Sequence, residues 1–257
     1  MIKRIFCVLC VAVFLFSCQS KKKLVYFQGI ENVKGGGKAD FEPLLQSDDL
    51  LLIIISSPVP EAAVPYNLIT YSASSLEDQD RSGGSGVRYQ TYLIDKEGNI
   101  EFPILGSIKV GGLTKSEAVD KIKTALKKYI TSPIVNLRIV NYKISVMGEV
   151  VRPGLYTVQT ERITLPEALS QAGDLTIYGD RKEILIIRDV DGVKTHHFVD
   201  ITSADFINSP FYYLDQNDVV YVKPNQTKVN SSVVGPNVTV GISAISLLIT
   251  IIALIAR

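Results

Sequence analysis

The chain has 257 residues, with 27 Lys and Arg against 26 Asp and Glu and a hydrophobic fraction of 46%. A balance so close to neutral excludes a nucleic-acid partner held by bulk charge, and the length allows one large domain or two small ones with extra segments. Residues 1–17 read as a secretory signal, with Lys3 and Arg4 followed by an apolar stretch from Ile5 to Phe16 that is too short to span a bilayer. Leu15-Phe16-Ser17 ahead of Cys18 resembles the lipobox of bacterial lipoproteins, with the bulky Phe16 as its one departure, which makes Cys18 the candidate lipidation site. Of the three cysteines, Cys7 and Cys10 fall inside the signal, so the mature chain keeps one and no disulfide forms within a subunit. Residues 18–41 then read as a lipidated N-terminus and tether, carrying Lys21-Lys22-Lys23 and Gly35-Gly36-Gly37.

Asp48–Ser57, a short apolar run between polar residues, predicts a buried strand. Pro58–Arg88, with three prolines, "SASS" and "GGSG", predicts a long irregular loop. "VRYQTYLID" and "NIEFPILGSIKV" alternate like strands around the turn Lys96-Glu97-Gly98-Asn99. Thr114 with Glu117 three residues on makes a capping box for a helix whose one face holds Ala118, Ile122, Ala125, Leu126 and Tyr129. That helix stops before Pro133, and "IVNLRIV" resumes as a strand.

A second unit begins near Asn141. Its first strands, "KISVMGEV" and "GLYTV", are joined across Val151-Arg152-Pro153-Gly154, where Pro fixes one turn dihedral and Gly supplies the permissive one. A helix follows over Leu165–Ala172, with Pro166 in its first turn and Gly173 just past its end. "EILIIRDVDGVKTHHFVD" has the form of a hairpin around Asp191-Gly192, and Asp218–Pro224 is a last strand. Both units are therefore small mixed modules, and the fold class is α+β.

Residues 92–126, "YLIDKEGNIEFPILGSIKVGGLTKSEAVDKIKTAL", resemble the export domain of the outer-membrane polysaccharide export family. "VMGEVVRPGLYTV" with "LPEALSQAGDLT" and "YYLDQNDVVYVKP" resembles the soluble-ligand-binding β-grasp module that follows it in that family. On this resemblance residues 42–140 are the export domain, 141–224 the β-grasp module, 225–237 a linker and 238–256 a transmembrane helix. The resemblance implies a ring-shaped homo-oligomer that carries capsular or exopolysaccharide through the periplasm and outer membrane. It also implies docking onto an inner-membrane polysaccharide copolymerase, for which the loop Pro58–Arg88 is the expected contact. A lipid-anchored outer-membrane location with the bulk of the chain in the periplasm follows. The alternative is a membrane-tethered β-grasp ligand-binding or scaffolding protein that makes no pore.

Val238–Ala256 is long enough to cross a bilayer as a helix of roughly 28 Å at 1.5 Å per residue. Thr239, Ser243, Ser246, Thr250 and Ala253 recur along it at intervals of four and three, a narrow hydroxylated stripe that makes the first four the candidate pore-lining residues. Such a stripe equally suits hydroxyls bonded back to their own helix, or a tight seam between helices. No catalytic residue, metal ligand or cofactor is expected. His196 and His197 are adjacent on a strand and point to opposite faces. The acidic pairs Asp48-Asp49 and Glu77-Asp78 read as solvated charge, and Gly35-Gly36-Gly37-Lys38-Ala39 fails the phosphate-loop pattern. Tyr66, Tyr71, Tyr89 and Tyr92, around the long loop, read as half-buried strand tyrosines, with a sugar-binding platform as the other possibility.

Overall fold

A computed structural model describes residues 24–33, 41–71, 87–190, 192–233 and 236–255. The signal segment, Cys18 and the whole region 72–86 lie outside those residues.

The first module is organised by β1 (Leu50–Ser56), where alternate residues are buried and the intervening ones half-exposed. Leu51, Ile53 and Ile55 point inward, as the two-residue period of a strand requires. A short helix α1 (Pro60–Ala63) and a 3-10 turn (Val64–Tyr66) follow, then β2 (Ile69–Tyr71), which pairs antiparallel with β3 (Val87–Tyr89). The expected irregular loop is thus regular at both ends. Asn67 explains part of this: its side chain accepts from the Ile55 N–H and donates to the Ile55 carbonyl, both at 2.9 Å, fastening the segment to β1.

Next come β4 (Tyr92–Leu93), β5 (Asn99–Phe102) and β6 (Gly106–Lys109). The turn expected over Lys96-Glu97-Gly98-Asn99 forms, with Gly98 N–H bonded to the Asp95 carbonyl at 3.0 Å. The hairpin, however, lies within "NIEFPILGSIKV": β5 pairs with β6, while β4 pairs with β1. Helix α2 (Lys115–Leu126) opens on the anticipated capping box, Thr114 accepting from Glu117 N–H and Glu117 from Thr114 N–H. It buries Ala118, Ile122 and Leu126. Tyr129 lies past the helix end and is exposed, and Ile130 closes the core in its place. Strand β7 (Ile134–Ile139) completes a three-stranded sheet of order β4-β1-β7.

The second module begins with β8 (Lys143–Gly148) and β9 (Gly154–Thr157), antiparallel across the predicted turn. The left-handed glycine is Gly148 (φ 90°), whereas Gly154 has no positive φ. After β10 (Ile163–Thr164), helix α3 (Leu165–Gln171) carries its own capping box, Thr164 with Glu167, and Gly173 follows with φ 78°. Strands β11 (Gly179–Val190) and β12 (Val193–Val199) form the hairpin, and β13 (Tyr213–Leu214) and β14 (Val219–Pro224) finish the module. Its sheet has the order β12-β11-β14-β8-β9, with β14 parallel to β8. Two cores result, one under each sheet, and Ile139 packs against both.

The segment 24–33, expected as free tether, is docked on the second module. Phe27 N–H bonds the Ile201 carbonyl at 3.2 Å, Gln28 N–H the Thr202 carbonyl at 2.7 Å, and Ala204 N–H the Gln28 carbonyl at 3.1 Å. At the other end, α4 (Gln226–Val233) and α5 (Pro236–Ile255) follow β14. Helix α5 has 20 residues where the sequence placed one. The side chains of 236–239, 242, 252, 253 and 255 are outside the described set, and no helix among the described residues is long and apolar enough to cross a membrane.

Candidate functional site: the joint between modules and the C-terminal helix

Asn141 stands at the boundary and bonds to both modules. Its side-chain oxygen accepts from Leu50 N–H at 2.9 Å and its amide donates to the Asp48 carbonyl at 2.9 Å, closing the start of β1. Its own carbonyl accepts from Gln216 Nε2 at 2.9 Å, and Gln216 Oε1 in turn accepts from Lys143 N–H at 2.7 Å. Phe41 stacks on Tyr213 at 4.8 Å, and Lys115 pairs with Glu161, so the modules touch through an aromatic pair and an ion pair as well.

Asp49 is buried beneath this joint, which corrects its reading as solvated charge. Its Oδ2 accepts from Gln46 N–H at 2.8 Å, while Oδ1 has no hydrogen-bond partner. Burial pushes the carboxyl up to about 6, the Gln46 N–H and the Gln216 amide pull it down, and Asp48 adds to the rise. A carboxyl whose folded-state value is raised above the unfolded one favours folding when protonated. Its contribution is present below about pH 4 and is lost as pH rises through about 6. Asp49→Asn should accordingly flatten the pH dependence of stability between pH 4 and 7 and raise the urea midpoint above pH 7. Urea titrations of both chains across that range read this directly.

In the second module, Arg188 from β11 joins two carboxylates of the β13–β14 turn. Nη2 meets Asp218 Oδ2 at 2.6 Å, Nε meets Asp218 Oδ1 at 3.0 Å, and Nη1 meets Asp215 Oδ2 at 2.7 Å. Asp218 also accepts from Asp215 N–H at 2.8 Å. Burial raises both carboxyls above the usual range, and Arg188 opposes the rise. A cleft of about 730 Å³ opens next to this cluster between the modules, lined by Asp48, Lys96, Lys109, Asp189, Lys194 and Asp215 among others. Its lining mixes both signs and includes no aromatic ring.

The residues expected to act elsewhere are dispersed. Tyr66 and Tyr92 are core residues, Tyr92 stacking on Phe102 at 5.3 Å, while Tyr89 is exposed and the side chain of Tyr71 is outside the described set, so Tyr66, Tyr89 and Tyr92 do not share one exposed platform. His196 and His197 lie on the edge strand β12, His197 stacked on Phe211 at 4.2 Å. Among the described residues, no group of three His, Cys, Asp or Glu is placed to hold a metal ion. On α5, Ser243, Ser246 and Thr250 are exposed, and Thr250 Oγ1 donates to the Ser246 carbonyl at 2.8 Å. The side chain of Thr239 is outside the described set.

Two modules joined in this order, each with its own core, are what comparison with known proteins also finds. A model of polysaccharide biosynthesis/export proteins matches residues 38–140, and a model of the SLBB domain matches 142–222. The chain belongs to the polysaccharide export protein family. It is similar to the EPS I polysaccharide export outer membrane protein EpsA of Ralstonia nicotianae, 33% identical over 162 residues that cover 58% of this chain and 42% of that one. The EpsA of Ralstonia solanacearum is 34% identical over 144 residues, 54% of this chain and 37% of the relative. This export-family chain thus spans less than half the length of the curated relatives it matches. Three features of it escaped sequence reasoning: buried Asp49, the Arg188 cluster and the docked segment 24–33. A trace of the second exists in "LDQND", whose two acids three residues apart suit a turn that wraps one cation.

Proposed function

We propose that this chain is a lipoprotein component of a conduit that exports capsular or exopolysaccharide across the periplasm and outer membrane, without performing chemistry. The observation that carries this reading is the order of parts: export module, SLBB module, then a 20-residue helix leaving the last strand of the second module by way of α4. In this reading lipid on Cys18 and helix α5 both anchor the chain at the outer membrane, and the modules lie in the periplasm. Copies assemble into a ring, and its first module meets an inner-membrane polysaccharide copolymerase. The two Ralstonia relatives, EPS I polysaccharide export outer membrane proteins, support the substrate class and the location. Single-particle images of the detergent-extracted chain should show rings with an axial channel. A monomer or a closed dimer would count against the conduit.

The Thr250–Ser246 bond favours a second reading, in which the stripe is satisfied within its own helix and the chain is a tethered β-grasp scaffold without a pore. Thiol access separates the two. If the stripe faces a wet lumen, cysteines introduced at Ser243, Ser246 and Thr250 react with a small polar reagent, and those at Leu247, Ile251 and Leu254 stay protected. Equal protection of both sets reduces α5 to an anchor.

A further inference from the structure

The segment 24–33 and the helix α4 are fastened to one and the same corner of the second module. Tyr26 OH donates to Asp174 Oδ1 at 2.7 Å, and the Arg181 guanidinium lies 5.5 Å from the centre of the Tyr26 ring. Farther along the loop 174–178, the Tyr178 carbonyl accepts from Asn225 N–H at 2.6 Å and the Ile177 carbonyl from Asn225 Nδ2 at 3.1 Å. Lys228, one turn into α4, stands 5.0 Å from the centre of the Tyr178 ring and 3.8 Å from Glu149. The turn 149–153 is stitched to the same loop, Val151 N–H to the Asp174 carbonyl at 3.0 Å and Thr176 N–H to the Glu149 carbonyl at 2.9 Å.

What this corner presents outward is unusual for a surface loop. Leu24, Val151, Ile177 and Tyr178 are exposed, and Arg152 and Lys228 stand among them, likewise exposed. Of the nearby acids, Glu149 is paired with Lys228, Asp174 accepts from the Tyr26 hydroxyl, and Asp180 accepts from Lys182 N–H. Aliphatic side chains with a tyrosine and bases at the rim make the composition of a surface that sits at a lipid headgroup layer. Chain length points the same way. Leu24 follows Cys18 by six residues, a reach of about 20 Å at most, and α4 plus its connection to α5 span at most about 23 Å.

We propose that this corner, centred on Val151, Ile177 and Tyr178, rests on the surface of an anionic phospholipid bilayer and sets how the folded body stands on the membrane. The proposal builds on the anchoring reading above. Lipid on Cys18 and the helix α5 would tether the corner from two sides, and the headgroup contacts would convert two tethers into a fixed orientation. The second module then becomes the membrane-proximal one and the export module the distal one. Arg152 supplies the attraction to acidic headgroups, which falls off within a Debye length and therefore needs close approach.

The chain contains no tryptophan, so a single introduced one is the sole indole reporter. Full-length chain in nanodiscs containing phosphatidylglycerol and lipid brominated near the headgroup provides the test. Ile177→Trp should lose most of its emission, and replacing phosphatidylglycerol by phosphatidylcholine should restore part of it. Ile134→Trp, in the export module and equally exposed (63% against 60% for Ile177), should keep its emission. Leu247→Trp in α5, with lipid brominated deep in the acyl chains, reports whether the anchor is inserted at all. Quenching at position 247 without quenching at 177, or equal quenching at 177 and 134, overturns the proposal while leaving the anchoring reading intact. Emission unchanged at all three positions overturns both.

Discussion

Gly148→Ala should unfold the second module, or leave it with a stability loss of at least about 3 kcal/mol. Two effects add at this position. The residue has φ 90°, a conformation that L side chains reach only at a cost of roughly 1–2 kcal/mol. A Cβ there would also lie 2.0 Å from the Val222 carbonyl oxygen on the adjacent parallel strand. That carbonyl cannot swing aside freely, because it accepts from Glu149 N–H at 2.9 Å, one residue beyond the glycine. Relief would have to come from pulling β8 away from β14 in the middle of the sheet. Gly112→Ala supplies the comparison: its φ is 80°, but nothing lies within 4 Å of the added carbon. It should cost about 1–2 kcal/mol, the conformational part alone. Denaturant titrations of both variants separate the clash from the strain. Equal losses at the two glycines would show that the close approach of β8 and β14 contributes nothing.

Arg188→Met should cost about 3–5 kcal/mol, because it strands two buried carboxylates without their cation. Asp218 is fully buried, and Asp215 is mostly so. In the native chain burial raises both carboxyls and Arg188 holds the rise in check, so removing the guanidinium lets burial act unopposed. The variant's stability should then fall as pH rises, since folding takes up protons that the unfolded chain has already released. The loss should be smaller at pH 5 than at pH 8. Adding Asp218→Asn to Arg188→Met should recover part of it, which a double-mutant cycle would read as coupling between the two positions. Full additivity of the two substitutions would mean that the bidentate pair carries no energy of its own.

Much of the local architecture was legible in the sequence. The Thr114–Glu117 box, the Asp191-Gly192 hairpin, the proline-led helix α3 and the alternating strands are set by interactions between residues a few positions apart, and such interactions leave spacing that can be read. The Thr164–Glu167 box was equally legible in "TLPE". Strand pairing was harder. "NIEFPILGSIKV" folds back on itself because Ile104 takes a left-handed conformation (φ 64°), which an isoleucine gives no local reason to expect. Tyr129, on the expected helical face, lies outside because the helix ends at Leu126 and Ile130 fills the space.

The sequence by itself determined the class of fold, the two-module order and the family, because periodicity, turn chemistry and motif order are properties of short windows. Only the tertiary structure decided which charges are buried and which segments are docked. Asp49 is buried because Asn141 and Gln216, 92 and 167 positions away, close the joint over it, and Arg188 meets Asp218 across 30 positions. Tyr26 reaches Asp174 across 148 positions and turns an apparent tether into part of the second module. Contacts at such separations impose no period on the chain and depend on the closure of both modules, so the residues that make them carry no mark until the fold brings them together.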